Sequence, residues 1–260
     1  MKVNIPCIEC VSAGDNTPYW ADSRPVSDSL IYDVTCPKGH KTEILLAAYK
    51  FELLFESGVV GLRAGYYREA VSSFATALER FYEFSIIFFI IDKFDPKPTG
   101  HFDENAVQKF LKLWKIPLKF SERQIGAFYA LYFNEFDELP VLFDEAFSKS
   151  LKHIIVKNPV NLRNRVVHEG YIPTYEEAIQ YGEAVAMYIK ALVVIYRERD
   201  HDRKIPRIEY IALLERALAF IKRGEAPRDI SLTNSGTFIS DIMSKYPADT
   251  SLIKYVEQRS

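Results

Sequence analysis

The sequence predicts an all-α protein: a helical bundle over residues 43–200, preceded by a small cysteine-bearing module over 1–42 and followed by a helical extension over 205–260. Three observations lead to this. Apolar residues recur every three or four positions along most of the chain after Thr42. Cap and turn residues punctuate that pattern at helix-like intervals. All three cysteines fall within the first 36 residues, ahead of the helical pattern. A chain of 260 residues that is 48% hydrophobic and 14% aromatic has the side chains for a substantial core.

In chain order, Leu30–Val34 reads as a short strand between turn-forming residues that include Gly14, Pro18 and Pro25. Glu43 to about Leu62 has helical spacing, and Gly65 breaks it. Tyr66–Ile91 is the longest helical candidate, with Ala70, Phe74, Ala77, Leu78, Phe81 and Phe84 on one stripe. The proline-rich stretch 95–100 ends it. Shorter helices are expected near 104–115, 121–134, 137–156 and 160–169. Thr174-Tyr175-Glu176-Glu177 forms a capping box that opens a helix to about Arg199. Residues 200–206 read as a charged, solvated linker, 207–223 as a further helix, and 236–245 as a weaker one.

The net charge of −2 gives no global basic signal, so any contact with nucleic acid must use a local patch. Lys149, Lys152 and Lys157 are candidates for one, although a lysine run on a helix also serves as a solvated face. The N-terminus has no basic stretch followed by an apolar run, and Ile86–Ile91 is far too short to cross a bilayer. The expectation is a cytoplasmic protein with no membrane partner.

The cysteines are spaced Cys7-x2-Cys10, then 25 residues, then Cys36-Pro37-Lys38-Gly39-His40. Two short ligand pairs separated by a loop supply the three thiolates and one imidazole of a tetrahedral Zn²⁺ site. Cys7, Cys10, Cys36 and His40 are therefore the candidate ligands, and four of them close the coordination shell, which makes the metal structural. Unpaired cytosolic thiols are the alternative. The Cys-Pro-x-Gly-His knuckle at 36–40 resembles that of a zinc ribbon.

The most informative segment is Arg163-Asn164-Arg165-Val166-Val167-His168. Asn158 is a plausible helix N-cap, Pro159 suits the first helical position and Gly170 the position past the end. At about 100° per residue, Asn164 and His168 share a stripe with Arg163 on its flank. Arginine offers a bidentate fork for phosphate oxygens, and histidine is the side chain that exchanges a proton near neutral pH. The alternative is a surface helix whose C-terminal histidine simply suits the helix dipole.

Arg163-Asn164-x3-His168-Glu169-Gly170, Pro173 and the helix-opening Glu176-Glu177-Ala178 resemble the signature of HEPN domains, and Ala77-Leu78-Glu79-Arg80 resembles an acidic position those domains often carry. The resemblance covers roughly 45–200. It implies a helical bundle and a metal-independent endoribonuclease, with Arg163, Asn164, His168 and Glu79 as site residues and no metal in catalysis. It further implies an RNA substrate, a homodimer whose two signature helices form one cleft, and a role as a toxin or anti-phage defence effector with an antitoxin or complex subunit as partner. A non-catalytic nucleotide- or protein-binding module and a structural subunit are the competing functions within that resemblance.

Overall fold

The computed structural model describes residues 2–14, 20–94, 104–115, 121–151, 156–226, 230–234, 239 and 251–258. The expected helix at 236–245 lies outside these, apart from Ile239.

Helix dominates, as expected, but the N-terminal module contains more strand than the sequence pattern indicates. β1 (Lys2–Pro6) pairs antiparallel with β2 (Trp20–Pro25). A second sheet has the order β3-β4-β5, from β3 (Ile31–Thr35), β4 (Lys41–Ala47) and β5 (Ser231–Asn234). β3 and β4 form a hairpin, whereas β5 returns from the far end of the chain to lie parallel to β4.

Strand β4 corrects the expectation that helix begins near Glu43; the helix starts only at Lys50. The reason is burial on both faces. Ile44 and Leu46 pack with Ile5, Tyr32, Val34 and Leu53 on one side, while Leu45 packs with Ile31, Ala219 and Phe220 on the other. A strand covered on both faces is continuously apolar, and a short run of that kind carries no periodicity to separate it from helix. β5 likewise breaks the expected all-helical character of 205–260, because Ile44 to Ala47 present an open edge that Ser231 to Asn234 fill.

The body is built around α3 (Tyr67–Ile90), which packs against α2 (Lys50–Arg63), α5 (Ser121–Phe136), α7 (Pro159–His168), α8 (Tyr175–Arg199) and α9 (Arg207–Lys222). α4 (Glu104–Lys115), the short α6 (Glu145–Ser150) and α10 (Leu252–Gln258) complete it. Among the described residues of the expected 137–156 helix only α6 forms, opened by Asp144, whose carboxylate accepts the N–H groups of Ala146 and Phe147. By length and composition α8 is long and apolar enough to cross a bilayer, yet 72% of its most apolar window is packed inside the protein.

The core is aromatic: Phe88 stacks on Tyr196 at 4.4 Å, and Phe74 wedges between α2 and α8. A Cβ on Gly58 would stand 2.5 Å from the Phe74 ring, and one on Gly182 would stand 2.7 Å from both Phe74 and Leu252. Glycine at both positions lets the three helices close around that ring and lets α10 dock. Buried Glu183 accepts the Leu252 N–H at 2.6 Å, fixing the start of α10.

Residues 201–204 are exposed, as expected of a solvated linker, but its first residue is not. Asp200 is buried, accepting the backbone N–H of Arg207 at 2.6 Å and its Nε at 2.8 Å. The Arg207 guanidinium also reaches Glu135 at 2.9 Å and lies 4.0 Å over the Phe88 ring. Opposite charges in sequence thus become a folded corner that caps α9.

Candidate functional site

Helix α7 begins where the sequence places it: the Asn158 side chain accepts the Asn161 N–H at 2.8 Å, Pro159 is its first residue, and Gly170 takes a φ of +73° just past its end. Pro159, Leu162 and Val166 are buried, which anchors one side of α7 to the bundle and turns Asn164 and His168 to solvent. Arg163 leaves from the edge between these faces and joins them.

Its Nη2 donates to Oε1 of Glu79 on α3 at 2.9 Å, across 84 residues of sequence. Its Nη1 meets Oδ1 of Asn164 at 3.0 Å and Nε2 of His168 at 3.1 Å. All four residues of the candidate site therefore meet through one guanidinium. A guanidinium only donates, so Nε2 of His168 is the acceptor in this arrangement and the ring carries its proton on Nδ1. Arg163 and Glu79 are about a quarter to a third exposed (side chains 30% and 25%), so their ion pair is partly screened and its main effect is to orient the fork.

Two tyrosines lie near this quartet. Tyr181 of α8 is buried beneath it, within electrostatic reach of both Arg163 and Glu79, and its phenol is pushed up chiefly by burial. Tyr171 follows the helix: the Arg165 guanidinium lies 3.7 Å over its ring, and its hydroxyl donates to the Glu177 carboxylate at 3.1 Å. Arg165 is thereby held as a cation on the flank of α7. Beside it, Lys157, Asn161, Arg165, Glu176 and Gln180 line a recess of about 330 Å³. Lys149 is paired with Glu145 on the surface, and Lys152 lies outside the described residues.

The second site is the N-terminal cluster. Cys7 precedes the short helix α1 (Ile8–Ser12) and Cys10 sits within it, while Cys36 and His40 flank the β3–β4 turn. That turn closes with Cys36 N–H to the His40 carbonyl at 3.0 Å and Gly39 N–H to the Cys36 carbonyl at 2.8 Å, with Gly39 at a φ of +86°. The four ligand atoms lie within 4.8 Å of one another, with Cys10 Sγ 3.9 Å from Cys36 Sγ, and His40 Nδ1 3.3 Å from Cys10 Sγ and 3.7 Å from Cys7 Sγ. Zinc–sulfur bonds of about 2.3 Å at tetrahedral angles put neighbouring sulfurs about 3.8 Å apart, so the donor set fits Zn²⁺ in both chemistry and spacing.

The three cysteines are buried. Burial pushes the Cys10 thiol up to about 12, reinforced by its two sulfur neighbours. At Cys36 burial acts in the same direction, but backbone hydrogen bonds from His40 and Lys38 outweigh it and hold that thiol below the ordinary range. Glu9 lies 3.9 Å from His40 Nε2, placed to orient the ring from its outer side.

Comparison of the chain with protein-family models, with curated proteins and with solved structures found no match.

Proposed function

We propose that the protein is a metal-independent endoribonuclease whose site is the Arg163–Glu79–Asn164–His168 quartet, completed by a second copy of the chain, with the cysteine cluster holding a structural Zn²⁺. The observation that carries this is the single guanidinium bridging a partly buried acid, an exposed amide and an exposed imidazole. Cleavage would proceed by attack of the RNA 2′-oxygen on the adjacent phosphorus while the P–O5′ bond breaks. The 2′-hydroxyl proton passes to one imidazole and the 5′-oxygen receives one, leaving a 2′,3′-cyclic phosphate and a 5′-hydroxyl.

Nε2 of His168 would serve as general base once Arg163 turns from it to the phosphate and frees its lone pair, a contribution typically worth about 10²–10⁴-fold. Arg163 holds the phosphate oxygens and their growing charge, and Glu79 aims Arg163. One histidine per chain serves either as base or as acid, so two copies facing one cleft supply both. Arg165 and Lys157 would meet the strand's phosphates from beside the site, in a recess they share with Glu176 and Glu177. A toxin or defence effector in the cytoplasm, restrained by a partner, is the biological setting this activity fits.

The test is an RNA oligonucleotide, and its counterpart with a 2′-deoxyribose at the cut position, incubated with zinc-replete protein without added divalent metal. The all-ribose strand should yield cyclic-phosphate ends and the deoxy strand should resist. Cleavage of both strands alike would refute the 2′-hydroxyl route.

One observation favours a second reading, a non-catalytic binding module. Both Nη atoms of Arg163 donate within the protein, as expected if the quartet serves to pin α7 to α3. That reading predicts binding of RNA or nucleotide without any product ends.

A further inference from the structure

A cavity of about 180 Å³ lies away from both sites, between strand β4, the first turn of α2 and helix α9. Its walls are aliphatic, contributed mainly by Leu30, Leu45, Leu46, Leu213 and Leu232. One end is different. Lys50 Nζ lies 3.1 Å from Oδ1 of Asp28, and Lys222 Nζ lies 3.4 Å from Oδ2 of the same carboxylate and 3.3 Å from its backbone carbonyl. Two ammonium groups from separate helices thus converge on one acid at the edge of an apolar cavity.

The acid is the exchangeable member of the trio: its side chain is 73% exposed, against 45% for Lys50 and 32% for Lys222. An ion pair that open to water contributes little. The lysines are less exposed. Burial and the neighbouring Lys50 keep Lys222 below the ordinary lysine range, so the pair gains from a closer anion. Glu215, the other acid lining the cavity, has its carboxyl pushed up by burial, which Lys222 and Lys50 oppose.

We propose that this cavity is a binding site for a small monocarboxylate with an apolar tail. The ligand carboxylate replaces Asp28 between Lys50 and Lys222, and the tail fills the leucine-lined space. An apolar cavity of about 150 Å³ accepts benzene, so the tail holds about five or six carbons. Because β4 belongs to the zinc-bearing side and α9 to the helical body, an occupant ties the two together. This site is independent of the ribonuclease reading.

The test titrates the full-length, zinc-replete protein with hexanoate by calorimetry. Hexanoate should bind saturably at one site, Lys222→Met should weaken it at least tenfold, and hexan-1-ol and inorganic phosphate should each bind at least tenfold more weakly than hexanoate. Asp28→Asn removes the internal competitor and should tighten binding several-fold, an effect that loss of folding cannot imitate. Ala212→Phe, a substitution at an exposed position lining the cavity, should abolish binding while circular dichroism stays unchanged. Absence of saturable binding, phosphate binding as tightly as hexanoate, or no gain with Asp28→Asn would each overturn the proposal.

Discussion

The Cys7–Cys10–Cys36–His40 cluster and the Arg163–Glu79–Asn164–His168 quartet gather polar groups on opposite plans. In the first, groups from two short sequence segments face one another, their sulfurs buried, and could hold one metal ion. Four such donors would complete a tetrahedral shell and leave no position for a reactant, so a metal held there would contribute folding energy. In the second, a cation reaches from α7 to an acid 84 residues away on α3, while the imidazole and amide remain exposed. An exposed proton-transfer group on a rigidly seated helix is what bond-breaking chemistry needs and what structural support does not. That difference is why we propose a structural role for the first cluster and a reactive one for the second.

That division can be broken by substitution. The largest effect is expected for Cys36→Ser. Structural zinc supplies an apparent folding energy of about 10–16 kcal/mol in small zinc-binding peptides. The variant should lose its zinc by elemental analysis and expose the N-terminal module to protease, while the cooperative melting of the helical body remains. Leu162→Ala should come next. Leu162 is 5% exposed beneath α7, and truncation should cost about 2–5 kcal/mol in chemical denaturation and loosen the quartet with it.

Glu79→Ala separates positioning from stability. Its ion pair with Arg163 is partly exposed, so the stability loss should be about 1 kcal/mol or less. Misaiming the guanidinium should slow cleavage about ten- to a hundredfold, and Glu79→Gln, which still presents an acceptor oxygen, should recover part of that. A rate unchanged in Glu79→Ala would remove the acid from the site.

A pH-dependent effect sharpens the junction between the two regions. Glu52, buried in the first turn of α2 just after β4, accepts the Tyr49 N–H at 3.2 Å, and burial pushes its carboxyl up to about 8. Its native form holds a proton that the unfolded chain releases near the ordinary carboxylate range. Stability from this group is therefore complete below about pH 4.5 and is lost as pH rises towards 8. Glu52→Gln keeps the acceptor and should flatten that slope in denaturation curves across this window.

Much of this was legible in the sequence because it is encoded locally. Asn158, Pro159 and Gly170 delimit α7 through cap chemistry, and the cysteine spacing specifies a ligand set. Strand β4 was not legible, because Ile44-Leu45-Leu46 is buried on both faces and reads equally as helix. Nor was β5, which pairs with an edge contributed nearly 190 residues earlier. Asp200 and Arg207 look like surface charges until each is seen to neutralise the other inside the protein. Tyr181 carries no signal at all: a buried tyrosine on a core helix looks the same whether or not a charged pair lies above it.

The central claim is that His168 transfers a proton in RNA cleavage. The most direct measurement compares single-turnover cleavage by wild type and His168→Ala, with folding and subunit association checked for both. Because His168 is exposed at the end of α7, the substitution should leave stability within about 0.5 kcal/mol, and the account predicts a rate loss of about 10²–10⁴-fold. Equal rates in the two proteins would contradict it.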